Sequence, residues 1–382
     1  MPIYASPEGK VPRVTSELYD RLIDIMPSSN ELVLADVDSA DEPAPSHDSS
    51  VNKAELSWLP TEPALSAQDC IKVRQLMADC VEGHGGEVSA LARAVQLGEA
   101  YLRLVPEGRL QFLRLIVDHL GCTKASVDAA IASYMAQGDH GPDGSNLTSL
   151  RKALIPPWIY LIKQFAASTF EDSSGIQFLV ELRGDLLGFL KHWPRLKPFD
   201  ADLLDTLTTI LTVGSLRLEQ LTWNTSAAVL NKLIQYEAVH KIHSWTDLQH
   251  RLEGRGTNDR RIYGYFHEQM PKVPLIFVEV AFVKGLSSQI QRVLDVHHQA
   301  FNRPEEADTC IFYSIANTQA GLRGASFGNF LIKNVVKAVK ADLPHLTTFA
   351  TLSPIPKFRH WLMNELKQVP EQSLPLWPKF HA

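Results

Sequence analysis

Residues 310–356 read CIFYSIANTQAGLRGASFGNFLIKNVVKAVKADLPHLTTFATLSPIP, and the succession of textures in this stretch decides the fold. A β-rich apolar run, Ile311 to Ile315, enters a glycine-bearing turn, 321-GLRGASFGN-329. A long helical pattern with one apolar face follows. It returns through Pro344 to a second β-rich run, Leu346 to Leu352, which ends on Ser353 beside Pro354 and Pro356. Strand, glycine turn, helix, strand is the form of a crossover. It leaves backbone N–H groups and the positive end of a helix just beyond the first strand, a place that suits an anion such as phosphate.

The residues of the turn fit that use. Gly321, Gly324 and Gly328 allow a backbone to come close to a ligand, because a Cβ there would meet phosphate oxygens. Lys333, Lys337 and Lys340 follow on the helix and would reach remote phosphates. The plainer reading is a tight strand-to-helix turn with solvated lysines. A Walker A loop is excluded because no Gly-Lys-Ser/Thr is present, and the glycine spacing is wrong for a dinucleotide fingerprint. Ser353 precedes two prolines that fix φ and restrict the residue before each of them. Its hydroxyl is thus expected to be rigid at the carboxyl edge of a sheet, where open α/β sheets bind ligands. Without a ligand, the same residues make a strand-ending Ser-Pro turn.

Upstream of the crossover, Glu219 to Trp223, Arg261 to His267 and Leu275 to Val283 read as strands. The last is nearly all apolar and so belongs in the middle of a sheet. Helices are expected over Ala227 to Tyr236, Trp245 to Leu252 and Ser287 to His297, with Ser287 and Ser288 capping the last. His240 and His243 read as anchors of a domain junction rather than metal ligands, since no further ligands accompany them. Strands interleaved with helices make the second half α/β or α+β.

Before that, helical periodicity runs from about Ser66 to Leu218, opened by a Ser66–Asp69 cap. Helices are expected over Val88 to Leu104, Pro106 to Leu120, Ala125 to Ala136, Leu147 to Ala167, Ile176 to Trp193 and Ala201 to Leu216. Pro156 and Pro157 should kink or split theirs. Nothing in this bundle suggests catalysis. His192 and Trp193 read as packing at a helix end, and Arg183 and Asp185 as helix-surface or interdomain contacts. Between Arg21 and Lys53 there are seven acids and no lysine or arginine, so residues 1–62 read as a disordered acidic leader.

The whole chain has 382 residues, enough for two domains. Apolar residues make up 45% and charged residues 21%, as in a soluble globular protein, and no run approaches a membrane span. The opening residues carry no signal core or presequence, which points to the cytoplasm. A net charge of −6 gives no support for general nucleic-acid binding, but leaves room for a local basic patch toward one polyanion. Cys70, Cys80, Cys122 and Cys310 show no CxxC spacing and are expected to be buried, reduced thiols.

The words IFYSIANTQAGLRGASFGNFLIKNVVK, FATLSPIPKF, PLIFVEVAFVKGLSSQIQ and IQFLVELRGDLL together resemble the malonyl-CoA decarboxylase family, from about Gly175 to Lys357. The turn also resembles the R/Q-x-x-G-x-G/A loop with which acetyltransferase-type folds hold the coenzyme A pyrophosphate. Arg323 stands at its first position and Gly328 at its last, with Ser326 in place of the middle glycine. The resemblance implies a helical domain, 63–212, followed by an acetyltransferase-like (acyl-CoA N-acyltransferase) α/β domain, 213–382. It implies decarboxylation of malonyl-CoA to acetyl-CoA and CO₂ within fatty-acid metabolism. Arg323, Gly324, Ala325, Ser326, Phe327, Gly328 and Asn329 would hold malonyl-CoA, and Ser353 would be catalytic. No metal or separate cofactor is implied, coenzyme A being part of the substrate. The expected partners are malonyl-CoA and further copies of the chain, joined through the helical domain; no nucleic acid or membrane is expected. The family also admits a mitochondrial or peroxisomal compartment.

One element of the resemblance has no counterpart. The family's proton-donating histidine lies far beyond LSPIP, in an NPVANFH-like strand, whereas this sequence closes on 374-LPLWPKFHA-382. On that ground the catalytic domain reads as truncated at its C-terminus. His345 lies eight residues before Ser353 and at the far end of the strand; five residues of strand alone span about 16 Å. His360 follows Ser353 on a helix. Two alternatives stay open: a non-catalytic coenzyme A-binding fragment, and an N-acyltransferase on the same fold.

Overall fold

The computed structural model describes residues 58–60, 63–136, 145–171, 173–237, 239–254, 257–287, 289–294, 303–325, 330–355 and 357–368. The expected leader, 1–62, falls almost wholly outside them. The chain forms two compact units. One comprises Met1–Arg217, Phe266–Val273 and Gln319–Gly328, and the other Leu218–Tyr265, Pro274–Thr318 and Asn329–Ala382.

The first unit is helical. Its helices are α1 (Ala67–Glu82), α2 (Glu87–Arg103), α3 (Pro106–His119), α4 (Lys124–Ala136), α5 (Ser145–Ala153), α6 (Trp158–Ala167), α7 (Gly175–Phe189) and α8 (Lys197–Ile210). Local chemistry sets their ends. Ser66 Oγ accepts from Asp69 N while Asp69 Oδ2 accepts from Ser66 N, each at 3.1 Å, so the expected capping box forms. Gly83 closes α1 in the left-handed region, at φ 69°. Pro156 and Pro157 divide the expected Leu147–Ala167 helix into α5 and α6, as a missing N–H and a ring clash require.

Aromatic rings from four elements build the core. Tyr101 meets Phe112 at 5.2 Å and Phe165 meets Phe178 at 5.0 Å, both edge-on. Burying each such ring contributes about 1.5–3 kcal/mol. One closed polar set enters this core. Arg109 Nη1 donates to Asp185 Oδ2 at 2.8 Å, and the Tyr101 hydroxyl donates to the same oxygen at 3.0 Å. Asp185 is therefore a buried tie among α2, α3 and α7, not a helix-surface group. The last helix stops earlier than its pattern suggested. α8 ends at Ile210, a 3₁₀ turn follows at Val213–Ser215, and a strand begins at Leu216.

The second unit is a mixed sheet flanked by helices. Its strands are β1 (Leu216–Leu221), β2 (Arg260–His267), β3 (Ile276–Val283), β4 (Thr309–Asn317) and β5 (Thr348–Thr351), in spatial order β1-β2-β3-β4-β5. β2, β3 and β4 run antiparallel, and β4 pairs parallel with β5. Helices α9 (Ala227–Tyr236), α10 (Trp245–Glu253), α11 (Ile290–Leu294), α12 (Phe330–Asp342) and α13 (Phe358–Gln368) complete it. Every residue of β3 is buried, as its apolar run demanded. The β4–α12–β5 crossover is present, and α12 buries Leu331, Val335 and Val339 at helical spacing. On one side of the sheet Ala281, Val283, Val293, Ile311 and Tyr313 pack together with Ile290, Leu294, Ala350 and Leu352. Among the described residues no helix is long and apolar enough to cross a membrane. All four cysteines are free thiols; Cys80 and Cys310 are buried, Cys70 is half-buried and Cys122 is exposed, so the expectation of burial fails for the last.

Candidate functional site

The glycine turn is built from its main chain. Ala320–Leu322 form a single 3₁₀ turn after β4. Leu322 N donates to Gln319 O at 3.0 Å, Arg323 N to Ala320 O at 3.1 Å and Ala325 N to Leu322 O at 3.0 Å. Gly324 follows at φ 84°, where a side chain would be strained. Arg323 and Gly324 are exposed, so the Arg323 side chain faces solvent beside a left-handed residue. Ser326, Phe327, Gly328 and Asn329 lie outside the described residues.

A buried arginine holds this turn against α7. Arg183 is 2% exposed. Its Nη1 donates to the carbonyls of Gly321 and, at 2.8 Å, of Arg323, while Nε donates to Asp200 Oδ1 of α8 at 2.8 Å. The backbones meet closely here: a Cβ on Gly321 would lie 1.8 Å from the Val180 carbonyl oxygen. Gly321 is therefore glycine because α7 occupies the space, not because a ligand does. Nor is Arg183 a surface group. A sequence cannot reveal that a helical arginine meets carbonyls 138 and 140 residues further on.

On α12, Lys333, Lys337 and Lys340 are all exposed, opposite the buried Leu331, Val335 and Val339. Lys340 Nζ stands 5.5 Å from the Phe349 ring centroid of β5, a cation over an aromatic face. The helix is fixed at its start by the Tyr265 hydroxyl, which donates to Leu331 O at 2.6 Å.

Ser353 stands where the parallel pair ends. Leu352 N donates to Phe312 O at 2.8 Å, which carries the β4–β5 ladder one residue past β5 and leaves Ser353 exposed next in line. The neighbouring histidines are engaged elsewhere. His345 contacts Pro304 O at 2.9 Å before β5 begins, and His360 contacts Asn364 Nδ2 at 3.2 Å on α13, where it is exposed.

A second polar cluster, not foreseen from the sequence, lies inside the sheet unit. The β3–β4 register shifts between Glu279 and Val280, so Tyr313 is an extra residue opposite β3. Arg251 Nη1 donates to Glu279 Oε2 at 3.2 Å, and its Nε donates to Asp247 at 3.1 Å. The Ser314 hydroxyl lies 3.0 and 2.9 Å from Oε1 and Oε2 of Glu237, and Oε1 also accepts from Val239 N and His240 N. Burial pushes the Glu279 carboxyl up to about 8, against the opposing pull of Arg251. Burial and the neighbouring Glu279 raise Tyr313 well above the usual phenol range. Tyr313 Oη lies beside the Glu279 carboxyl without the geometry of a closed hydrogen bond, and among the described residues His240 Nε2 and Glu279 Oε1 also lack a partner. One signal pointed here, the lone acid in 275-LIFVEVAFV-283. His240 belongs to this interior, its ring 6.3 Å from that of Tyr313, whereas His243 is exposed.

Other residues keep modest roles. Arg114 lies over the Trp193 ring at 4.3 Å, which is packing as expected. Ser287 Oγ donates to Gln289 O at 3.3 Å beside α11, and Ser288 is outside the described residues. Among the described residues no three His, Cys, Asp or Glu side chains gather as metal ligands would.

Two family descriptions match the chain: the malonyl-CoA decarboxylase C-terminal domain over residues 214–377, and the N-terminal domain of the same family over residues 120–210. Similar curated proteins include a mitochondrial malonyl-CoA decarboxylase of Anser anser anser, 41% identical over half of this chain and 38% of that protein. Another, of Rattus norvegicus, is 31% identical over 76% of this chain and 56% of that protein. The chain spans about half the length of the curated relatives it matches. Among solved structures, malonyl-CoA decarboxylase from Rhodopseudomonas palustris superimposes with a TM-score of 0.70 at 35% identity, over 80% of this chain and 71% of that one. The protein of that description from Agrobacterium vitis gives 0.69 at 35% identity, with the same coverage.

Proposed function

The chain belongs to the malonyl-CoA decarboxylase family, and from that membership we propose that it binds malonyl-CoA and converts it to acetyl-CoA and CO₂. The observation that carries the reading is Ser353, an exposed hydroxyl at the carboxyl end of the parallel β4–β5 pair, where open sheets present their ligands. The chemistry asks for three things. The malonyl carboxylate must be held so that its C–C bond lies along the thioester π system. The electrons released when that bond breaks must be received as an enolate, stabilised by donors at the thioester oxygen. A proton must then reach C2. Ser353 serves the first task, by donating a hydrogen bond to the carboxylate. The coenzyme A arm lies along residues 323–329, with Arg323 toward its phosphates. No metal or further cofactor takes part in this proposal.

Finer points belong to the same reading. Residues 213–382 form the coenzyme A-binding domain on an acetyltransferase-like plan, and residues 63–212 form the helical domain through which copies associate. Two compartments are proposed, cytoplasmic from the sequence and mitochondrial from the names of the goose and rat relatives. Cell fractionation separates them.

The test is release of acetyl-CoA and CO₂ from malonyl-CoA by this chain beside Ser353→Ala. Release by the parent, reduced at least a hundredfold in the variant, is the expected result. Coenzyme A binding with no release by the parent would replace the decarboxylase with a non-catalytic coenzyme A-binding protein.

A further inference from the structure

The turn that would receive coenzyme A phosphates carries carbonyl oxygens as well as N–H groups, and an anion tolerates only the latter. Something must turn the carbonyls away. In a trans peptide the C=O and the following N–H point in opposite directions. Drawing the Arg323 carbonyl onto the Arg183 guanidinium therefore turns the Gly324 N–H away from α7, on the exposed side of the turn. Arg183 draws in the Gly321 carbonyl by the same nitrogen, and Asp200 fixes the guanidinium from the other side. A planar fork holds two carbonyls and a carboxylate in fixed directions, whereas an ammonium is a compact point charge whose donors rotate.

We infer that Arg183 is a positioning residue for phosphate recognition: it holds the Gly321 and Arg323 carbonyls inward so that the Gly324 N–H and the Arg323 side chain face the coenzyme A phosphates. This rests on the coenzyme A reading of the turn. It gives the helical unit a part in ligand recognition, although none of its helical residues touches the ligand. The close approach depends on Gly321, whose Cβ would meet the Val180 carbonyl, and not on Gly184, whose Cβ would stand 3.5 Å from Gly321 N, an ordinary van der Waals distance.

Binding separates this role from plain structural support. Calorimetric titration of the full chain with coenzyme A and with pantetheine, which lacks every phosphate, gives two affinities for each variant. Arg183→Lys is expected to weaken coenzyme A about tenfold and to leave pantetheine unchanged, because only phosphates read the direction of the turn's dipoles. Equal weakening of both ligands, or no weakening in a variant with the parent's melting temperature, overturns the inference. Should Arg183→Lys fail to fold, Asp200→Asn decides by the same two criteria, since it frees the guanidinium without removing it. A parent chain that binds coenzyme A no more tightly than pantetheine would overturn the phosphate reading of the turn itself, and the role of Arg183 with it.

Discussion

Arg183 and Arg251 are both buried, each beside a carboxylate, yet their surroundings differ in kind. Around Arg183 the donors reach one carboxylate and two main-chain carbonyls, and the carbonyls carry no titratable proton. Around Arg251 the acceptors are Glu279, Asp247 and the Lys241 carbonyl, and Glu279 is wholly buried, one of its oxygens having no partner among the described residues. The first cluster fixes a shape. The second stores a protonation choice. A buried charge set on main-chain groups is insensitive to pH, whereas one set on a desolvated carboxyl inherits that carboxyl's titration.

The sharpest way to break this contrast is to remove each guanidinium. Arg183→Ala and Arg251→Ala should each lower the unfolding free energy by about 3–5 kcal/mol at pH 8.5, because a buried partner is left behind. At pH 6 the cost of Arg251→Ala should shrink, since Glu279 can take a proton and become neutral. The cost of Arg183→Ala should change less, because two of its three acceptors are main-chain carbonyls. Chemical denaturation at the two pH values checks this, and equal pH dependence would erase the distinction.

A smaller effect tests whether the shape around Arg183 is as tight as its contacts imply. Gly321→Ala should cost about 1–3 kcal/mol, since its Cβ would overlap the Val180 carbonyl oxygen and the turn would have to shift. The thermal midpoint measures that cost, and an unchanged midpoint would mean that the turn is free to move off α7.

The last effect is a slope rather than a single cost. The Glu279 carboxyl rises from 4.5 to about 8 on folding, so the folded chain keeps a proton that the unfolded chain releases. Its contribution is fully present below pH 4.5 and is lost as pH rises toward 8, at up to about 1.4 kcal/mol per pH unit. Glu279→Gln, which mimics the protonated group, should flatten the fall of thermal midpoint across that window. A parallel pH profile would show that Glu279 is ionised in the folded chain.

Much of the fold was legible because it is written locally. Ala227–Tyr236 was read to the residue, since Ser226 caps it and its apolar positions recur at helical spacing. The crossover was legible from its textures alone. The overrun of α8 shows the limit of periodicity, which carried the helical pattern past Ile210 into a 3₁₀ turn and the strand that follows. The site was less legible. Ser353 could be placed at a strand end from its prolines, but Arg183 looked like any charged residue in a helix, and only tertiary contact shows its acceptors. Glu279 was visible as an acid in an apolar strand, though not as a member of a cluster that Tyr313 joins through a bulge.

The threading of the helical unit has a consequence for how the chain is made. Segments as distant as α7 and the 319–328 turn belong to one compact unit. On the ribosome, α1 to α8 emerge first, but two of the three acceptors recorded for Arg183 are synthesised 138 and 140 residues later. Until then the nascent helices must carry a guanidinium that is only partly satisfied, which favours a loosely closed intermediate. A fragment cut after Ile210 would be caught at that stage. The unit that leaves the ribosome first is thus the one that waits for the crossover before it can close.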